Sequence, residues 1–131
     1  VLVVVDELAA AGNQEATFEQ HWHIAPGLAA PSSGQTPHRF AVSGGGGLTV
    51  AFGEQADVTI NPEGEGSCLC RTLRMKKGLA VSVFQWSAEA ASLHVQAKGQ
   101  SGNWSLAISG AGFAGTLSLA EGELRYSPQT V

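Results

Sequence analysis

Apolar and polar residues change places at every second position along most of this chain, a period that suits pleated strands and leaves little room for helix. Trp104, Leu106 and Ile108 alternate with Ser105, Ala107 and Ser109; Phe113, Leu117 and Leu119 alternate with Ala114, Thr116 and Ser118. Each such segment has one wet and one dry face, as an antiparallel strand over a core requires. Leu93 and Val95 repeat the pattern against His94 and Gln96. The turn signals between these segments are Gly99 to Asn103, Gly110-Ala111-Gly112 and Glu121-Gly122, the last spaced for a two-residue hairpin. The C-terminal third therefore reads as a meander.

Earlier in the chain the texture is the same and the loops are longer. Phe18, Trp22 and Ile24 share one face of an expected strand, with Glu19, His21 and His23 on the other. An extended connection is expected from Pro31 to Pro37. Leu48, Val50 and Phe52 form a dry stripe after the Gly44 to Gly47 run, and Val58 and Ile60 form another that Asn61-Pro62 should end. Leu79 to Trp86 is apolar on both faces, the mark of a strand covered on two sides or of a bulge. A helix is open only over Trp86 to Leu93, for one turn at most. The expectation is an all-β fold, an antiparallel multi-stranded β-sandwich of ten or eleven strands in a single domain over residues 1–131.

Composition excludes several functions. Only 14% of the residues are charged, and seven Lys and Arg against eleven Asp and Glu give a net charge of −4. The one basic cluster, Arg71, Arg74, Lys76 and Lys77, is too short to follow a phosphate backbone, so nucleic acid is not an expected partner. The longest apolar run, Val1 to Val5, is far short of the roughly 20 residues a helical membrane span needs. It lacks the basic start and cleavage site of a signal peptide and reads as an interior strand, which suggests a piece of a longer protein.

Few side chains suggest chemistry. His21-Trp22-His23 would place two imidazoles on one strand face, able to share a divalent metal if a third ligand came from a neighbouring strand, with His38, His94 and Asp57 as the candidates. The competing reading makes both histidines ordinary cross-strand partners, and it is preferred: no metal site and no cofactor are expected, zinc being the one cation kept open. Cys68 and Cys70 lie one residue apart, about 6.5–7 Å at Cα on a strand, where a disulfide is strained at best, and they read as small apolar side chains. The acidic residues read as solvated loop charges, with Asp6-Glu7 closing the first strand. No serine sits in a nucleophile elbow, and the glycine run has neither the lysine nor the helix of a phosphate cradle. The alternation buries Trp22 and Trp104 and leaves Trp86 the freest aromatic platform for a sugar ring. The candidate ligand-binding residues are thus His21, His23, His38, Arg39 and Trp86, with no catalytic residue among them.

Val3-Val4-Val5-Asp6-Glu7-Leu8, a short polar loop, and then Phe18-Glu19-Gln20-His21-Trp22-His23-Ile24-Ala25-Pro26-Gly27 resemble the C-terminal region of the heparinase II/III-like polysaccharide lyases. The match covers about the first 28 residues. The resemblance implies a β-sandwich that follows a helical toroid and forms the other wall of the cleft. It implies an acidic polysaccharide as partner and a periplasmic or extracellular location. The parent would cleave by β-elimination, a base taking the proton beside the uronate carboxylate while an acid protonates the leaving oxygen. This chain, without the toroid, is expected to be inactive alone. His38 with Arg39, or the cluster around Arg71, would have to face the cleft to hold a polyanion. An uncovered toroid-facing surface would favour self-association. The alternative is a stand-alone carbohydrate-binding or adhesive module.

Overall fold

The computed structural model describes residues 1–31, 37–54, 57–89 and 92–130. Among them there are twelve strands and no helix: β1 Leu2–Ala9, β2 Ala16–Ile24, β3 Leu28–Ala29, β4 His38–Val42, β5 Gly47–Phe52, β6 Asp57–Glu63, β7 Gly66–Met75, β8 Lys77–Ser87, β9 His94–Gln100, β10 Asn103–Gly110, β11 Phe113–Ala120 and β12 Glu123–Pro128. All pairings are antiparallel, in three sheets: a central one ordered β1-β8-β5-β4-β3, an outer three-stranded one ordered β2-β7-β6, and the meander β12-β11-β10-β9.

The all-β antiparallel reading holds, and the strand count is slightly higher. The extended connection expected from Pro31 to Pro37 and the helical turn left open over Trp86 to Leu93 both include positions outside the described residues.

β8 is the reason for a third layer. Its Leu79, Val81 and Val83 join Ala51, Trp104, Leu106 and Ile108 in a core between the central sheet and the meander. Phe84, one pleat over, joins Phe40, Val50, Leu69, Trp22 and Ile24 in a second core beneath the three-stranded sheet. Trp22 meets Phe84 edge-on, with ring centroids 4.9 Å apart. A strand covered on both sides carries apolar residues on both, which is why its sequence does not alternate, and its two buried polar residues, Ser82 and Gln85, are each hydrogen-bonded, to Gln20 and to Ala111.

Local chemistry accounts for one hairpin and for one strand that runs on past an expected stop. Between β11 and β12, Glu121 and Gly122 have φ of 52° and 76°, the two positive values that a twist-matched hairpin loop demands. β6 runs through Asn61-Pro62 instead of ending there, with Pro62 opposite Ser67. This is tolerated because β6 is an edge strand, where a missing N–H need not break a ladder.

Candidate functional site

The three-stranded sheet turns alternate residues of β2 and β7 outward, and there the two sequence pairs meet. Antiparallel register sets His21 opposite Cys70 and His23 opposite Cys68. The shared two-residue spacing then puts all four side chains on one face. His21 Nδ1 lies 3.3 Å from Cys70 Sγ and 3.7 Å from Cys68 Sγ. The two sulfurs are 3.0 Å apart and unbridged. From the neighbouring edge strand, Glu63 Oε1 comes within 2.6 Å of His23 Nδ1. The ligand atoms of His21, Cys68 and Cys70 all fall within 4.8 Å of one another, as do those of His23, Glu63 and Cys68. Cys68 belongs to both sets.

The environment is asymmetric. The side chains of His21 and His23 are 48% and 65% exposed, whereas Cys68 is buried at 6%. The hydrogen bond with Cys70, burial, and the nearby charges of Cys70 and Glu63 push the Cys68 thiol up to about 11. The reading of both cysteines as plain apolar side chains is therefore corrected: they are polar partners of a histidine. The third ligand does not come from His38, His94 or Asp57. His38 and His94 border a separate hollow of about 650 Å³ with Glu54, and Asp57 pairs with Thr72, beyond the His21–Cys70 row.

The other candidates are dispersed. His38 is buried on the central sheet, its ring tilted against Phe52 at 6.0 Å, and burial pushes its pKa below the usual histidine value. Arg39 is held by Thr49 Oγ1 and Ser87 Oγ, each 3.1 Å away, and by the Ser87 carbonyl. Trp86 is 60% exposed. By register it shares the Phe40 and Leu48 side of the central sheet, the opposite side from Arg39, so the two do not form one platform.

Arg71 is not part of a surface cluster. It points inward between sheets, lies over the Phe52 ring at 4.2 Å, forms an ion pair with the Glu54 carboxylate at 2.6 Å and donates to Gln20 Oε1 at 2.9 Å. Burial pushes the Glu54 carboxyl up and the Arg71 guanidinium down from their ordinary values, each opposed by the other's charge. Glu54 is thus no solvated loop charge, and the basic patch expected to greet a polyanion loses its first member to the interior.

Glu7 is also structural. It accepts from Gly102 N, Ser101 Oγ and Trp104 Nε1, pinning β1 to the β9–β10 turn, and these bonds lower its pKa, the Gly102 one most.

Comparison of the chain with protein-family models, with curated proteins and with solved structures returns no match.

Proposed function

We propose that this chain is a non-catalytic β-sandwich domain of a heparinase II/III-like polysaccharide lyase, bracing a helical toroid and lining the cleft for an acidic polysaccharide. One observation carries the reading: the two stretches that resemble this family, Val3–Leu8 and Phe18–Gly27, fold as edge strands of two different sheets and are hydrogen-bonded to each other. The first falls within β1 of the central sheet and the second supplies most of β2 in the outer sheet. The resemblance thus spans the seam between two layers. The polar groups of that seam point the same way, because Asp6 and Gln20, joined at 2.6 Å, come one from each stretch.

In this role the chain supplies shape and no proton transfer. Base and acid would come from the helical part, and the sandwich would hold the polymer against them. The test is the coding sequence upstream of Val1. Several hundred mostly helical residues are expected there, and a start codon within a few residues of Val1 would sink the proposal. In solution, the purified chain should produce no rise in unsaturated-uronate absorbance with any uronic polymer.

Trp86 favours a second reading. A tryptophan 60% exposed on a rigid strand can stack a sugar ring without help from another domain. A stand-alone binding module would be retarded in a polysaccharide affinity gel, and Trp86→Ala would abolish that retardation.

A further inference from the structure

We propose that His21, Cys68 and Cys70 form a metal site on the outer face of the three-stranded sheet, taking a zinc-like cation with His23 as fourth ligand. The geometry is close to that of an occupied centre. A tetrahedral zinc with ordinary bond lengths separates two sulfur ligands by about 3.8 Å and a sulfur from a nitrogen by about 3.6 Å. The corresponding distances here are 3.0 Å for the sulfurs and 3.3 and 3.7 Å from Nδ1 to each of them. Side-chain rotations bring these three atoms to tetrahedral spacing, and His23, whose ligand nitrogen lies within 4.8 Å of Cys68 Sγ, is the group for the fourth position.

Three further features favour a cation. Cys68 and Cys70 alternate along one extended strand, a spacing at or past the limit for a disulfide, so the thiols stay available. Two sulfurs and two imidazoles select zinc-like cations over calcium or magnesium, which take oxygen ligands. Glu63, 2.6 Å from His23 Nδ1, is placed to orient that ring and leave its other nitrogen for the metal. The exposed imidazoles give the ion a way in from solvent, while buried Cys68 anchors the floor. Each sulfur binds as thiolate, so two thiol protons pass to solvent as the cation enters. His21 and His23 are also candidate polysaccharide contacts, but the cobalt readout below needs no polysaccharide, so failure of the metal site and failure of the lyase reading are distinguishable.

The test is titration of the reduced, chelator-treated 131-residue chain with Co²⁺, followed by Zn²⁺. One equivalent of cobalt is expected to give thiolate-to-metal charge-transfer bands and intense tetrahedral bands that zinc then bleaches. Cys70→Ser should weaken the charge transfer, and the Cys68→Ser/Cys70→Ser double variant should remove it while far-UV circular dichroism still reports strands. His21→Gln should lower affinity about tenfold or more, and Glu63→Gln about 10–100-fold with the band shape kept. Weak octahedral cobalt bands from the folded chain would overturn the proposal. So would undiminished affinity in the double variant or in His21→Gln, or a thiol count showing Cys68 and Cys70 bridged under the same conditions.

Discussion

Arg71 and Glu54 show how a single pair can decide the fit between two layers. The guanidinium is fully buried, and its charge is answered by a carboxylate that is itself only 22% exposed. Removing one partner leaves the other charge stranded, so Glu54→Ala should destabilise the chain by about 3 kcal/mol, whereas Arg71→Met with Glu54→Ala should recover much of that loss. Urea unfolding of the two variants measures the difference. Glu7 makes a prediction of another kind. Its pKa is depressed in the fold, so its contribution is present above the ordinary carboxylate value and is lost as pH falls through the lowered one. Wild-type urea midpoints should therefore drop in that acidic window, and Glu7→Gln should start lower at neutral pH and show a shallower decline. An identical acid profile for both proteins would remove Glu7 from the account.

At the scale of elements, β8 is the shared wall of two cores, and its two faces can be loosened separately. Val83→Ala should cost about 2 kcal/mol and speed amide exchange first in the meander, because Val83 packs on that side. Phe84→Ala should cost about 3 kcal/mol and speed exchange first in β2 and β7. Uniform loosening by either change would contradict the layer assignment. β8 also shows what a sequence can and cannot disclose. Its doubly apolar run left open a strand covered on two sides or a bulge, of which the first is found, and Glu121-Gly122 announced its hairpin, since both depend on near neighbours. The metal-like cluster was hidden for the opposite reason. His21-Trp22-His23 and Cys68-Leu69-Cys70 each show period-2 spacing, but their meeting depends on a register between residues 49 positions apart, which no local pattern encodes. Arg71 was misplaced similarly: in sequence it lies three positions before exposed Arg74, and only strand phase separates an inward from an outward charge.

For the whole molecule, two sheet borders carry apolar side chains into water. β1 edges the central sheet with Leu2 exposed, and β12 edges the meander with Leu124 and Tyr126 exposed. Open borders of this kind pair readily with other strands, and a net charge of −4 is a weak deterrent. Sedimentation should show the mean mass rising with concentration, and Leu124→Lys with Tyr126→Lys should suppress the rise. A constant monomer mass would show that these borders are inert.

The pairing of β1 with β8 has a further cost during biosynthesis. Leu2 lies opposite Phe84 and Ala9 opposite Lys77, so the valine-rich first strand has no ladder until some 70 to 80 later residues have left the ribosome. At ordinary elongation rates that is a wait of roughly 4 to 16 s, during which a sticky β-ribbon is in the open. Over that interval β1 is open to wrong pairing, while the meander that follows β8 can close as soon as each hairpin is made.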